Sequence, residues 1–413
     1  MTDAVPSSMP AAAPGEDLPP HDAGVSSFRF NAFLAGMTLS RLGDVAFAVA
    51  LPWLVMQATG SNVALGTLMM VFAIPRGLLL LVGGATSDRF SARNVLLVSS
   101  LAQALCVAAI AALLAAHAFR FDMLYVLVFC FGVADAFATP AVNTLVPDLV
   151  ARDRIPHANA LVQTATQVCM LVGSALAGLL IQVGGLTMAF AADALSFVAI
   201  LWALVLIPAA RRERAPEAGL REAILAGLRH VWADPALRGL FILCACVNFC
   251  VTGVSEIGLV VLAKSRFDSA AALGFMMTGI GVGSLLGIAV GAKLPSSFGV
   301  GAALRAASVA LGALFALLAV AMPMLATCGV ALGIGVAAGC VNFKAITWLQ
   351  MHVPADVTGR VMSVFSFASA GVMPLSLMIA GWLAKSHLET LMLSSAALLV
   401  LSALLVRPGA RGA

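Results

Sequence analysis

Gly83-Gly84-Ala85-Thr86-Ser87-Asp88-Arg89 and Val146-Pro147-Asp148 are each echoed once further along the chain. Gly84 stands 207 positions before Gly291, in Gly291-Ala292-Lys293-Leu294-Pro295, and Val146 stands 207 positions before Val353, in Val353-Pro354-Ala355-Asp356. Two short matches at one offset, half of the 413 residues, read as a tandem duplication. Parallel repeats of this kind in a membrane protein are related by an axis along the membrane normal, with a path between them.

Composition puts that duplication in lipid. Apolar residues make up 62% of the chain and charged residues 10%, against about 25% charged in an ordinary soluble domain. So apolar a chain of this length cannot cover a water-facing surface. The net charge of +4 carries no nucleic-acid signal, because the basic residues are dispersed over short loops instead of forming a stripe. The eight cysteines lie in apolar runs without zinc spacing, and Cys244, Cys246 and Cys250 read as small helix-packing residues. Neither cofactor nor metal is expected.

A crossing needs about 20 apolar residues, and backbone groups in hydrocarbon must be paired within the segment, which makes each crossing a helix. Twelve spans meet that need: 28–57, 62–86, 94–117, 121–147, 157–183, 187–208, 238–263, 270–292, 303–321, 323–350, 359–385 and 387–406. The expectation is an all-α integral membrane protein of two pseudo-symmetric six-helix halves, 28–208 and 238–406. Residues 1–27, rich in Pro, Ala, Ser and acids, read as a disordered cytoplasmic arm without signal-peptide character. The linker 209–237 carries a basic amphipathic stretch, Leu220 to Trp232, suited to the membrane surface, and 407–413 form a cytoplasmic tail. With both termini inside, inner segments hold sixteen Lys and Arg and outer loops four, the bias that orients membrane proteins.

The loop after the second span adds a motif. Gly84 is followed four residues later by Asp88-Arg89 and then by Arg93, a pattern that resembles the signature of the major facilitator superfamily. Ser91 and Ala92 stand where a second Gly and an Arg are usual. Gly permits close helix approach, and a carboxylate at a helix end can bind a neighbour's positive N-terminus. The resemblance implies a cytoplasmic gate in which Asp88 and Arg89 latch against helix 11, near Thr358-Gly359-Arg360. Three further stretches, Pro147-Asp148-Leu149-Val150 through Ala158-Asn159-Ala160-Leu161, Asp193-Ala194-Leu195-Ser196-Phe197, and Trp348-Leu349-Gln350 through Arg360-Val361-Met362-Ser363, resemble the branch that holds the enterobactin exporter and macrolide efflux pumps.

That branch implies a bacterial inner-membrane exporter of small amphipathic molecules, a siderophore foremost, with multidrug or macrolide-type efflux as the alternative. The partners it implies are the cargo, protons, the lipid bilayer and an outer-membrane channel. Two antiporter patterns are incomplete. Gly173-Ser174-Ala175-Leu176-Ala177-Gly178 keeps the small helix-packing face of helix 5 but lacks its proline, and Val128 stands where helix 4 is expected to carry an Arg. Pro374 in the eleventh span is a further helix-packing candidate.

Charges inside hydrocarbon each cost about 2.5–3.5 kcal/mol or more, and so each demands a reason. Arg41 and Asp44, three apart on the first span, can pair. Arg76 follows Pro75, Asp135 lies mid-helix 4, Glu256 lies in helix 7, and Lys344 in helix 10 is near enough to the cytoplasmic end to snorkel. The structural reading pairs these charges. The functional one makes Asp44, Asp135 or Glu256 a carboxyl that takes up and releases a proton. Asp193 reads as a cap or packing residue, and Asn31, Gln57, Gln103, Tyr125, Gln163, Gln167, Asn248 and Asn342 as helix glue.

Energy coupling follows by elimination. No phosphate loop and no sizeable soluble domain exist for ATP, which leaves an ion gradient. An enzyme reading rests only on His117 and Asp122 at H-x-x-x-x-D spacing, without a second catalytic block. A receptor on a transporter fold is the other class weighed.

Overall fold

The computed structural model describes residues 23–151, 154–208, 229, 231–293, 300–353 and 355–404. Those residues are almost wholly helical, and no strand occurs among them. Helices α1 (Ala23–Thr59), α2 (Asn62–Arg89), α3 (Ala92–Ala115) and α4 (Phe121–Leu149) follow one another through turns of a few residues. The run Ile155–Val205 is broken at Gly185, whose φ of 75° and ψ of 179° only glycine adopts easily. It therefore forms two limbs, α5 (155–184) and α6 (186–205).

After the linker come α7 (Pro235–Phe267), α8 (Ala270–Lys293), α9 (Val300–Ala319), α10 (Met324–His352), α11 (Ala355–Ser386) and α12 (Leu388–Ala403). Nine of these described stretches are long and apolar enough to cross a membrane, one of them containing both α5 and α6, while Gly371–Lys385 and Leu388–Ala403 are shorter apolar helices. Most of the arm and of the basic linker stretch lies outside the described residues. Asp234 caps α7 by accepting from the Ala236 N–H at 2.7 Å, which fixes where the second half begins.

Two seams join the halves, α2 against α11 and α5 against α8. Both depend on glycine. A Cβ on Gly66 would stand 2.7 Å from the Leu377 carbonyl oxygen and 2.9 Å from the Gly381 Cα. At the other seam a Cβ on Gly178 would stand 2.6 Å from the Ala270 oxygen, and Gly274 lies on the Ser174 carbonyl. Without side chains between them the helix backbones come into contact, as van der Waals association in lipid requires. Asn62 closes the first seam by donating from Nδ2 to the Ala384 oxygen at 2.6 Å.

Candidate central cavity

Between the halves lies a cavity of about 390 Å³, lined by α1, α2, α4, α5, α7, α8 and α11. Phe47, Phe72, Phe131, Met69, Met277 and Met373 give it an apolar, deformable wall. Into that wall are set all five charges singled out on helices 1, 2, 4 and 7: Arg41, Asp44, Arg76, Asp135 and Glu256. Drawn from four helices, they share one space.

Arg41 Nη1 donates to Asp44 Oδ2 at 3.2 Å within α1, leaving Asp44 Oδ1 buried without a partner. Arg76 on α2 reaches Asp135 on α4, Nε to Oδ2, at 2.9 Å. This contact is an ion pair by distance, but its angle falls short of a directed hydrogen bond. The Arg76 guanidinium also sits 5.7 Å from the centre of the Phe72 ring. Glu256 makes no ion pair within 4 Å among the described residues, though Arg76 acts on it through space.

Glu256 lies on a π-helical turn, Val254–Gly258. Such turns widen an α-helix locally and occur often at functional sites. Sequence periodicity carries no sign of it. Beside Glu256, the Ser255 hydroxyl is buried and unpartnered. Ser376 on α11 donates to the Phe249 oxygen at 2.5 Å and ties α11 to α7 just before this turn.

The remaining candidates fall elsewhere. Gly173 makes room for α1, since a Cβ there would stand 3.0 Å from Leu42 Cδ1 and 3.1 Å from Val45 Cγ1, and Gly178 serves the α5–α8 seam. Pro374 lies inside α11 between the cavity residues Met373 and Leu377. Lys344 lies on α10 near Cys340. Val128 is fully buried, so helix 4 presents no cation there. None of the uncharged polar candidates lines the cavity; its neutral polar wall is Thr166, Ser174 and Ser255. Tyr125 instead pairs with Thr67 at 3.0 Å, between α4 and α2.

At one end of the bundle, Arg93 donates from Nε to the Leu204 oxygen at 2.9 Å and clips α3 to the end of α6. The side chains of Asp88, Arg89 and Arg360, and the surroundings of Gly84, lie outside the described residues. At the opposite end, Lys264 sits 5.3 Å from the Trp53 ring centre and also pairs with Asp268. His117 occupies a left-handed turn, φ 53°, and Asp122 pairs with Arg120 at 3.8 Å on the surface. No group of three or more His, Cys, Asp or Glu that could hold a metal occurs among the described residues.

The family model for transmembrane secretion effectors matches residues 23–409. The chain belongs to that family, within the major facilitator superfamily. It is 28% identical over 361 residues to the multidrug efflux pump Tap of Mycolicibacterium fortuitum, covering 83% of this chain and 86% of that protein. It is 25% identical over 342 residues to the enterobactin exporter EntS of Escherichia coli O1:K1 / APEC, covering 81% and 79%.

Among solved structures, the fold resembles the nucleoside transporter NupG, with a TM-score of 0.73 at 16% identity over 91% of this chain and 97% of that one. It also resembles an inward-facing bacterial homologue of the iron transporter ferroportin, with a TM-score of 0.70 at 16% identity over 92% and 98%. This secretion effector is thus a multi-pass membrane transporter of the efflux type, not an enzyme.

Proposed function

We propose that the protein exports small amphipathic molecules, cations foremost, from the cytoplasm in exchange for protons. The carrying observation is Glu256, a carboxyl outside any ion pair of the described residues, set in a wall of Met and Phe. With Arg41–Asp44 and Arg76–Asp135 neutralising one another, the wall is left with one negative charge. An amphipathic cation fits such a space by its apolar body and its charge. Cation and proton then compete for one carboxylate, which is the minimal device for antiport. A proton crossing 100 mV supplies about 2.3 kcal/mol.

In this reading the chain crosses the bacterial inner membrane twelve times with both termini cytoplasmic. The halves rock about the cavity, and Asp88 and Arg89 latch the inner side against the start of α11. Siderophore export is the second reading. It is favoured by the similarity to EntS, and is opposed by the residual negative charge if the chelator is an anion.

The test is cellular accumulation of ethidium and of a panel of amphipathic antibiotics, with and without the protein. Expression is expected to lower accumulation, and a protonophore to restore it. Glu256→Gln should slow export and flatten its dependence on pH across the neutral range, since an amide takes up no proton. Equal accumulation, together with a chelator trapped inside iron-starved cells that lack the protein, would replace the cation reading with the siderophore one.

A further inference from the structure

Among the described residues, Asp193 is the carboxyl whose two oxygens are both buried and unpartnered. It lies two turns into α6, beyond the reach of a helix N-cap, and is fully enclosed by protein. Neither carboxylate oxygen has a hydrogen-bond partner. The nearby Ser196 hydroxyl donates at 2.7 Å to the main-chain oxygen of Asp193, not to its carboxylate.

The site was made for it by absence. Gly36 and Gly43, seven residues apart, lie on one face of α1 against α6. A Cβ on Gly36 would stand 2.8 Å from the Ala199 carbonyl oxygen, and a Cβ on Gly43 would stand 2.5 Å from Asp193 Oδ1 and collide with Ser196 Oγ. Asp193 therefore presses on the α1 backbone one residue before Asp44, on the side away from the cavity, whose lining it does not join. The unpartnered Asp44 Oδ1 belongs to the same buried neighbourhood, and the two carboxyls act on each other through space.

The charged and titratable groups around this pair are few. They are Arg41 on α1, Arg76 on α2, Asp135 on α4 and Cys169 on α5. Asp44 has Arg41 as counter-ion. Asp193 has none. A buried carboxyl without a counter-ion, its neighbouring Ser196 hydroxyl engaged at a main-chain oxygen, is tolerated better as the neutral acid than as the anion.

We propose that Asp193 is a second proton-carrying carboxyl of the transport cycle, connected to the cavity through Asp44 across the glycine-lined α1–α6 seam. The proposal rests on the antiport reading above. In the present conformation the pair holds one proton, on Asp193, while Asp44 is the carboxylate paired with Arg41. When the seam opens to water, the O–H bond of Asp193 breaks and one forms on Asp44, leaving the carboxylate on Asp193. Asp44 then releases the proton to the cavity. The reverse sequence reloads Asp193.

The test is infrared spectroscopy of the purified full-length protein in lipid at neutral pH, following the carbonyl stretch that a protonated carboxylic acid shows and a carboxylate lacks. A protonated-acid band that shifts in deuterated water is expected in the wild type. It should be lost in Asp193→Asn and persist, displaced, in Asp44→Asn. An unchanged band in Asp193→Asn overturns the proposal. If that variant does not fold, Asp193→Glu must move the band, and an unmoved band overturns it equally.

A second arm measures ethidium movement driven by a pH gradient in proteoliposomes. Asp193→Asn should lose the gradient-driven component and keep exchange in the absence of a gradient, a split that a structural role would not produce. Loss of both together overturns the proposal. If the wild type moves no ethidium, the cargo reading fails, and the infrared band still decides the role of Asp193.

Discussion

The helix pairs α2–α4 and α8–α10, one 207-residue offset apart, solve one packing problem in two ways. In the first half, Arg76 and Asp135 face each other across the pair at 2.9 Å. At the same 207-residue offset the second half has Gly283 and Asn342. Gly283 is buried with the Leu332 carbonyl of α10 where a side chain would be, so backbone contact replaces the ion pair. The difference teaches a division of labour. The first half supplies Arg41, Asp44, Arg76 and Asp135 to the cavity and keeps Asp193 outside its lining, while the second supplies Glu256 from the π-helical turn of α7.

If that contrast is right, the largest effect comes from putting bulk where the second half has none. Gly283→Val would drive a Cβ into a main-chain carbonyl that cannot rotate away. Overpacking of a flexible core costs about 1–3 kcal/mol, and a rigid backbone contact falls at or beyond the upper end. The expected outcome is loss of monodisperse protein on size-exclusion chromatography in detergent. A well-behaved, active Gly283→Val would show that α8 and α10 are held by something other than their close approach.

A smaller effect is expected in the first half. Asp135→Asn removes one partner of a pair that is buried on the Asp side but open to the cavity on the Arg side, with side-chain exposures of 11% and 41%. Truncating a buried pair costs about 3–5 kcal/mol, and the access of Arg76 to the cavity should reduce that to roughly 2 kcal/mol. Thermal unfolding in detergent should show a lower midpoint. The double variant Arg76→Met with Asp135→Leu should recover much of it, because it leaves no lone charge. Recovery of stability without recovery of transport would assign the pair to function; recovery of both would leave it a structural clip.

Much of the frame was legible because hydrocarbon imposes it. Helix positions follow from apolar length, and Gly184-Gly185 falls in the gap expected between 183 and 187. The ends were less legible. α1 begins at Ala23 and α11 at Ala355, several residues before their apolar stretches, because helices continue past the lipid where their ends are solvated. Each intramembrane charge could be flagged by its cost, but convergence of five on one cavity is a tertiary fact that no local pattern encodes. The π-helical turn under Glu256 left no trace in composition. Asp193 did leave one, in Gly36 and Gly43 at heptad spacing on α1 and Ser196, Ala199 and Ala203 at helical spacing on α6. Pairing those two faces needed the fold.

The two seams between the halves offer the finest comparison, since both close on glycine and each carries a side-chain clasp. Asn62 donates to the Ala384 oxygen beside the Gly66–Gly381 contact, and Thr278 on α8 donates from its hydroxyl to the Leu171 oxygen of α5 at 3.0 Å, beside the Gly178 and Gly274 contacts. A single hydrogen bond of this kind contributes about 1 kcal/mol net, enough to shift a two-state equilibrium about fivefold. Asn62→Ala should therefore leave folding intact and move the population toward the conformation open at this end. Distances between spin labels placed on the ends of α2 and α11 would report it as growth of a longer-distance component. The same labels across α5 and α8 should lengthen in step, because rigid halves rocking about the cavity cannot open one seam alone. If only the α2–α11 distance changed, the seams would be separate gates and not two edges of one motion.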